Sequence, residues 1–304
     1  LAAKYDVGQY GLNPGYEFAD FVKELIPADT PADVDRGERY VERIVRGLYY
    51  FKQCGLVGPS GTGKTHVAYL VAEIAGLPLW EINCGLQTSA YDLFGRYIGL
   101  GKENWVDGQI VSWCRHGGIL YLDEANMMKQ DVATRLNPVL DTRGHVVLTE
   151  KDNEVIPRHP VGYMIMSMNP ASIEFAGTKP LNVAFRRRMS TWINFDFISE
   201  GNRIHPDEVN VLRRRTGIDE KTALNIVRAG AELRRQYKNG DLPYGPSLGD
   251  LVNWGTLVAD AGRPLQAAEE TIIALTSDHS EVQDSVRRVV KRIFGSDSTF
   301  VPES

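Results

Sequence analysis

Short apolar runs alternate with amphipathic stretches between residues 51 and 198. Five runs have the composition of buried strands, and they read FKQCGLVG, LPLWEINC, GGILYLDEA, GYMIMSMN and TWINFDF. Each run is followed by glycine, proline or polar residues, where a strand would end. The alternation predicts an α/β fold in which helices cover a central parallel sheet.

The region after the fifth run contains successive helical periods and almost no strand signal. Asp219 has the position of an N-cap for a helix that runs to about Asn239. Ser247 is the expected start of a further helix. Ser280 and Gln283 form a capping-box pattern before the last helical period. This part of the chain therefore reads as a separate, small, all-helical domain.

We divide the chain into three parts on these patterns. Residues 1–50 are a predicted helical lead-in, 51–198 a predicted αβα core and 199–304 a predicted helical lid domain. Two stretches interrupt the core. Residues 89–117 are rich in glycine where a simple helix is expected, and residues 141–163 alternate like a β-hairpin.

Composition narrows the possible classes of protein. The 304 residues are 43% hydrophobic and 24% charged, with a net charge of -5, which gives no bulk attraction to nucleic acid or anionic membranes. We find no apolar run long enough to span a bilayer and no signal-peptide pattern. Cys54, Cys84 and Cys114 are far apart and lack metal-ligand spacing. We therefore expect buried thiols, no structural zinc and a cytoplasmic location.

The stretch GLVGPSGTGKTHVAYLVAEIAG contains the pattern GxxxxGK[ST] between an apolar run and a helical period. Glycines in such a loop let backbone N–H groups converge on phosphate oxygens, and the following helix N-terminus favours negative charge. Lys64 is expected to reach the β- and γ-phosphates, and the Thr65 hydroxyl to bind Mg²⁺. The predicted ATP-binding residues are Gly58, Pro59, Ser60, Gly61, Thr62, Gly63, Lys64, Thr65 and His66.

Two later apolar runs end in polar residues that suit ATP hydrolysis. GGILYLDEAN places Asp123 at a strand tip, where its carboxylate could hold Mg²⁺ through water, and Glu124 where it could polarise an attacking water. GYMIMSMNP places Asn169 at another strand tip, where its amide could position the same water. Each pattern alone would be read as a surface turn. Together with the phosphate loop, they favour a Mg²⁺-dependent ATPase.

The phosphate loop, the DE strand, the Asn-tipped strand, a downstream arginine and a helical lid together resemble the AAA+ ATPases. This resemblance covers the chain from about residue 40. The strings LFGRY, DG, DEAN and MNP are most similar to the MoxR-type group, which includes CbbQ-, NorQ- and GvpN-type proteins. In that branch, residues 89–117 and 141–163 would be the helix-two insert and the pre-sensor hairpin.

The resemblance implies a homo-oligomer, a hexameric ring that couples ATP turnover to the remodelling of a partner protein. Members often work with a separate protein that contains a von Willebrand factor A domain. The helix-two insert commonly faces the ring pore or the client, so Arg96, Tyr97 and Trp105 are candidate contacts. Packing within the insert is an equally good interpretation of Trp105.

The family also implies that an arginine of one subunit completes the active site of its neighbour. The string LNVAFRRRM aligns Arg188 with this arginine finger, Arg187 is the second choice, and Arg186 is expected at the surface or in a salt bridge. The sequence departs from the family in the lid. Family members carry an arginine where this chain has Gly249, so the sensor of bound nucleotide is absent or is supplied by another residue.

Two alternative functions stay open at this stage. A nucleic-acid-translocating or restriction-type motor would need basic inserts, but acidic and basic residues balance in both. A nucleotide-gated scaffold with negligible turnover is disfavoured because Lys64, Glu124 and Asn169 are all present. We therefore expect a protein partner, no membrane and no nucleic acid. The identity of the client is not encoded in any motif of the chain.

Overall fold

The computed structural model describes residues 40–99, 104–169 and 183–295. The predicted lead-in over residues 1–50 lies outside these residues except for its last part, which is helical. Among the described residues, 40–58 and 64–195 form one compact unit. Residues 59–63 group with 196–295 in a second unit.

The first unit is built on a five-stranded sheet in which all neighbouring strands are parallel. Its strands lie in the spatial order β2-β5-β8-β1-β9. They are β1 (Gln53–Val57), β2 (Leu79–Asn83), β5 (Gly118–Asp123), β8 (Gly162–Met168) and β9 (Trp192–Asn194). Each strand comes from one of the five apolar runs, so the predicted parallel α/β sheet is confirmed.

Helices cover both faces of this sheet. They are α1 (Tyr40–Phe51), α2 (Lys64–Ala75), α3 (Ala90–Phe94), α4 (Gln109–His116), α5 (Gln130–Leu140) and α6 (Val183–Arg188), and a 3₁₀ turn spans Ala125–Met127. Successive strand residues point to opposite faces. Ile119 and Tyr121 of β5 therefore pack with α1 and α2, whereas Leu120 and Leu122 pack with α4 and α5.

Each of the two predicted inserts contains an antiparallel hairpin. The first pairs β3 (Gly95–Tyr97) with β4 (Trp105–Asp107) between α3 and α4. The second pairs β6 (His145–Leu148) with β7 (Glu154–Pro157) just before β8. Both hairpins thus interrupt the alternation of helix and parallel strand in the first unit.

The described part of the second unit is helical, and its helices pack around one apolar core that includes Trp254. It contains α7 (Pro206–Thr216), α8 (Glu220–Lys238), α9 (Leu248–Ala261), α10 (Pro264–Ala268), a π-turn (Glu269–Ile273), α11 (Ala274–Thr276) and α12 (Ser280–Phe294). A parallel sheet and a separate helical region are the elements of the predicted fold class, a P-loop NTPase core with a helical lid.

Two of the three predicted helix caps are confirmed. The Asp219 side chain accepts a hydrogen bond from the Thr222 backbone N–H at the start of α8. Ser247 and Asp250 form a capping box at the start of α9. The capping box predicted at Ser280 is wrong, because Ser280 is already the first residue of α12 and makes no cap.

Candidate functional site

The phosphate-loop sequence connects β1 to α2. Gly61 and Gly63 have positive φ angles of 72° and 91°, which glycine adopts without steric cost. Gly58 is held against the backbone of Phe195, where a Cβ atom would collide. His66 is exposed on the first turn of α2. The loop thus leads directly into a helix N-terminus, an arrangement that favours anions.

Lys64 is a buried cation, with 7% of its surface exposed. Its Nζ donates to the Gly58 carbonyl oxygen at 2.8 Å and to Asn169 Oδ1 at 3.0 Å. Burial lowers the pKa of Lys64 to about 8, although the charges of Asp123 and Glu124 act in the opposite direction. An ammonium whose burial is this costly would be stabilised by the negative charge of a bound phosphate.

The Thr65 hydroxyl and the Asp123 carboxylate lie together at the carboxyl end of β5. Thr65 Oγ1 donates to Asp123 Oδ2 at 3.0 Å. Two hydroxyls that the sequence analysis did not identify complete this cluster. Ser167 Oγ donates to Asp123 Oδ1, and Tyr121 OH lies 3.1 Å from both Thr65 Oγ1 and Ser167 Oγ. The donor set is entirely oxygen, which suits a hard divalent cation such as Mg²⁺.

Glu124 follows Asp123 in a left-handed backbone conformation, with φ 52° and ψ 41°. A non-glycine residue in this region is strained by about 1–3 kcal/mol, and such strain concentrates at functional sites. The Glu124 backbone N–H donates to Asp123 Oδ1 at 3.0 Å, and its side chain is exposed. The turn therefore directs an exposed carboxylate away from the sheet next to the strand-end cluster.

Asn169 lies at the end of β8, beside Lys64. Its side-chain oxygen accepts from Lys64, and its carbonyl oxygen accepts from Asn126 Nδ2 at 3.4 Å. Asn126 is buried in the 3₁₀ turn after β5. The structure thus brings together the loop lysine and the polar tips of β5 and β8, because parallel strands place their carboxyl ends at one edge of the sheet.

The three arginines of the FRRRM string occupy different surroundings on and beside α6. Arg186 stacks over the ring of Trp192, with 5.2 Å between its Cζ and the ring centroid. Arg187 is exposed. Arg188 is half-buried, and its Nε lies 3.5 Å from Asp141 Oδ2. The preferred candidate, Arg188, therefore lies near a carboxylate of its own chain, and its Nη1 donates to the Ala184 carbonyl oxygen at 2.8 Å.

Gly249 lies in the first turn of α9, two residues after the cap Ser247. Within the second unit, Gly61 of the phosphate loop is against Ser247, and a Cβ atom on Gly61 would collide with that serine. The residue that takes the place of the family arginine thus lies on a helix whose N-cap contacts the phosphate loop.

The first insert exposes part of its hairpin. Trp105 is half-buried, its Nε1 donates to Asp107 Oδ1 at 2.7 Å, and its ring meets the edge of Tyr97 at a centroid distance of 5.1 Å. The structure therefore favours packing over partner contact for Trp105. Arg96 and Ile98 are the more accessible candidates, since 61% of the Arg96 side chain and 68% of Ile98 are exposed.

The alternation of side chains along β5 could have revealed the Tyr121 hydroxyl from the sequence. Residues two apart in a strand share a face, so Tyr121 had to lie on the side of Asp123. No local pattern could have revealed Ser167, because its pairing with Asp123 depends on β5 and β8 being neighbours.

None of the helices within residues 40–99, 104–169 and 183–295 is long and apolar enough to cross a membrane.

Comparisons with known families agree with this fold. Residues 54–189 match the family described as AAA domain (dynein-related subfamily). Residues 208–293 match the family described as CbbQ/NirQ/NorQ C-terminal. The first match contains the phosphate-loop lysine and the tips of β5 and β8, and the second lies within the helical unit. The fold and site therefore define an ATPase of the AAA+ class.

Several relatives align over most of their length. Protein NorQ of Paracoccus denitrificans is 32% identical over 79% of this chain and 86% of that protein. Protein CbbQ of Hydrogenophilus thermoluteolus is 29% identical with the same coverage. The denitrification regulatory protein NirQ of Pseudomonas aeruginosa is 30% identical over 73% of this chain and 82% of that protein. The chain belongs to the MoxR-type AAA+ ATPases, in the branch that contains CbbQ, NirQ and NorQ.

Among solved structures, NtrX from Brucella abortus in complex with ATP superimposes with a TM-score of 0.52. The two chains are 16% identical, and the match covers 81% of this chain and 53% of NtrX. At this identity the likeness concerns the fold alone.

Proposed function

We propose that this chain hydrolyses ATP to ADP and phosphate and uses the reaction to remodel a partner protein. The observation that carries the proposal is the position of Lys64. Its Nζ donates to the Gly58 carbonyl oxygen of the phosphate loop at 2.8 Å and to Asn169 Oδ1 at 3.0 Å. A γ-phosphate bound by the loop lysine would therefore lie beside the polar tip of β8.

Each residue of the site has a role in this reaction. The loop 58–63 and Lys64 bind the phosphates, and burial makes the lysine a strong partner for them. Thr65 and Asp123 would hold Mg²⁺, which neutralises charge on the β- and γ-phosphates when it is bound. Glu124 accepts the proton of the attacking water as general base, and Asn169 orients that water.

Steady-state phosphate release, measured with and without Mg²⁺, tests the ATPase directly. Glu124→Gln should retain ATP binding and lose turnover by on the order of a hundredfold or more, because an amide cannot act as the base. Undiminished release by this variant would exclude Glu124 from the proposed role. Release near the buffer rate from assembled wild-type protein would instead support the scaffold function.

We extend the proposal to assembly into a hexameric ring, in which Arg188 or Arg187 reaches the nucleotide of the neighbouring subunit. Arg188 is the first choice from the family pattern, whereas Arg187 is the more exposed of the two. A guanidinium acting on the γ-phosphate in trans makes turnover depend on protein concentration. Loss of an arginine finger costs about a thousandfold or more. A trans finger would be excluded if dilute and assembled protein released phosphate at the same rate. It would also be excluded if Arg187→Ala and Arg188→Ala both released phosphate as fast as wild type.

The proposed client is a protein, reached through a ring surface or a separate chain with a von Willebrand factor A domain. Membership of the branch that contains NorQ and CbbQ supports a protein client through the family resemblance. The exposed hairpin residues Arg96, Tyr97 and Ile98 are the proposed contacts. The test is co-purification with a von Willebrand-type protein encoded nearby, which should be lost when these three residues are replaced by alanine.

A cytoplasmic location belongs to this proposal and rests on the free thiols.

The charges of the inserts favour a protein over a nucleic acid as the client. Four basic residues in the described parts of the inserts are paired with carboxylates of the same chain: Arg96–Asp92, Arg115–Asp107, Arg143–Asp141 and Lys151–Glu154, at 3.7, 2.8, 2.6 and 2.8 Å. Arg158 donates instead to the Val139 carbonyl oxygen at 3.2 Å. Nucleic-acid grooves present unpaired basic stripes instead. Stimulation of phosphate release by DNA, with a steep salt dependence, would reverse this preference.

A further inference from the structure

The hydroxyls of Tyr121 and Ser167 lie beneath the proposed magnesium ligands and belong to no motif. Tyr121 precedes Asp123 by two residues on β5, so both side chains lie on the face that packs against α2. The register pairs Tyr121 with Ile165 and Leu122 with Met166. One step further along the sheet, Ser167 is opposite Asp123.

Both residues are completely buried, each with 0% of its surface exposed. The neighbours of Tyr121 on this face are otherwise apolar, among them Ile119 and Ile165. A polar group in such a place is costly unless it is hydrogen-bonded. The hydroxyls therefore remain satisfied only within the cluster formed with Thr65 and Asp123.

The number of hydroxyl protons in the cluster limits the hydrogen bonds that Tyr121 can donate. Thr65 Oγ1 donates to Asp123 Oδ2 at 3.0 Å, and Ser167 Oγ donates to the other carboxylate oxygen. Those bonds use the protons of both aliphatic hydroxyls and leave their lone pairs as acceptors. Tyr121 OH lies 3.1 Å from each of them but has one proton. It can donate to Thr65 or to Ser167, one at a time.

We propose that Tyr121 and Ser167 are positioning residues for the magnesium ligands, and this inference rests on the proposed function of Thr65 and Asp123. Ser167 fixes the carboxylate of Asp123 through Oδ1, which leaves Oδ2 directed at Thr65. Tyr121 holds the Thr65 hydroxyl when its lone pair has no other partner. When a cation takes that lone pair, the tyrosine proton turns to Ser167, so no buried hydroxyl loses its hydrogen bond.

The experiment measures binding of a fluorescent, non-hydrolysable ATP analogue to the full chain, first in EDTA and then during a Mg²⁺ titration. Tyr121→Phe removes one hydroxyl and preserves the ring. Ser167→Ala removes the bond to the carboxylate. Tyr163→Phe is the matched control, because it removes a buried tyrosine hydroxyl from the same face of the sheet. Thermal unfolding shows that each variant is folded.

We expect the Mg²⁺ concentration for half-maximal binding to rise about fivefold in Tyr121→Phe, because without the tyrosine proton the cation must itself order the Thr65 side chain, and ordering one side chain lowers affinity by about this factor. It should rise about tenfold or more in Ser167→Ala, since bonds to a charged group are about twice as strong. Binding in EDTA should be unchanged in both, because the phosphate loop and Lys64 are intact. Tyr163→Phe should match wild type throughout.

The outcomes separate this inference from the proposed function. If wild-type protein releases phosphate and needs Mg²⁺, but Tyr121→Phe has the same Mg²⁺ dependence, the positioning role is wrong and the ATPase stands. If binding in EDTA falls as much as binding in Mg²⁺, the hydroxyls are structural and the inference is also wrong. If wild-type protein shows neither release nor Mg²⁺ dependence, the proposed function itself fails. Should Ser167→Ala not fold, Tyr121→Phe alone decides.

Discussion

Two cations are buried within the described residues, and they differ in their partners. In the first unit, Lys64 is 7% exposed and meets neutral oxygens of Gly58 and Asn169. In the second unit, Arg234 is 1% exposed and forms two hydrogen bonds, of 3.1 and 2.8 Å, with the Glu208 carboxylate. The hydrogen bonds of Lys64 described above go to neutral oxygens, whereas those of Arg234 include a bidentate pair with a carboxylate.

The remaining contacts of Arg234 complete its compensation. It donates to the carbonyl oxygens of Pro246 and Ser199 at 2.7 and 3.0 Å, and its Cζ lies 4.9 Å from the ring centroid of Phe197. A guanidinium with four N–H groups donating to protein oxygens stabilises the fold. Lys64, whose pKa burial lowers to about 8, would gain from an added phosphate. The partners of a buried cation, more than the extent of its burial, therefore distinguish a cation that binds a ligand from one in a structural ion pair.

The largest expected effect is on Lys64. Lys64→Met should reduce phosphate release by about a thousandfold or more, because the ammonium is worth most where charge develops in a buried site. The melting temperature should stay the same or rise, since the variant removes a charge whose burial is costly enough to lower the pKa of the lysine to about 8. Phosphate-release assays and thermal melts check both parts. A large fall in melting temperature would make Lys64 a structural cation and remove the contrast with Arg234.

The next effect concerns Arg234. Arg234→Met leaves the Glu208 carboxylate buried without its partner, so the free energy of unfolding should fall by about 3–5 kcal/mol. Arg235→Met is the matched control in the adjacent position, where the guanidinium is 48% exposed and pairs with Glu232. That control should show no measurable change, as is usual for exposed ion pairs. Urea unfolding followed by circular dichroism gives both values, and equal losses would contradict the assignment of Arg234.

The same two regions show what a sequence can predict. The strand tips at Asp123 and Asn169 follow from local patterns, because each ends an apolar run. The parallel sheet places those tips at one edge whatever its strand order. Lys64 and Thr65 follow from a motif whose spacing is fixed by the loop.

Features that depend on contacts between distant segments could not be predicted. Ser167 reaches Asp123 only because β8 lies between β5 and β1. Arg234 and Glu208 are 26 positions apart, and no local pattern marks them as partners. The ion pair between Arg188 and Asp141 likewise joins two separate elements. Sequence patterns therefore identify which residues end the strands, and tertiary packing decides which side chains meet.

A smaller effect concerns the cysteines, which all lie in the first unit. Cys54, Cys84 and Cys114 are free and buried, and burial raises the pKa of each thiol from 9.0 to about 12. Because the folded pKa is above the unfolded one, the stabilisation is complete below about pH 9 and is lost as the pH rises toward 12. Between pH 8 and pH 10, ionisation of each thiol in the unfolded chain should lower the free energy of unfolding by roughly 1 kcal/mol.

The control for this prediction is Cys114→Ala, which removes one titrating thiol. Its destabilisation by the lost packing does not depend on pH, so the variant should lose less stability between pH 8 and pH 10 than wild type does. Urea midpoints at both values measure the difference. Identical pH profiles would mean that the Cys114 thiol does not resist ionisation in the folded state.

The smallest effect compares a confirmed helix cap with a wrong one. Asp219→Ala should lower the free energy of unfolding by about 1 kcal/mol, because its side chain accepts from the Thr222 N–H at 3.0 Å. Ser280→Ala should be nearly neutral, since Ser280 is inside α12 and alanine is a better helix former than serine. Gln283, the presumed partner of the box, donates instead to the Ser277 carbonyl oxygen at 2.9 Å. A loss from Ser280→Ala as large as that from Asp219→Ala would place the start of α12 one residue later.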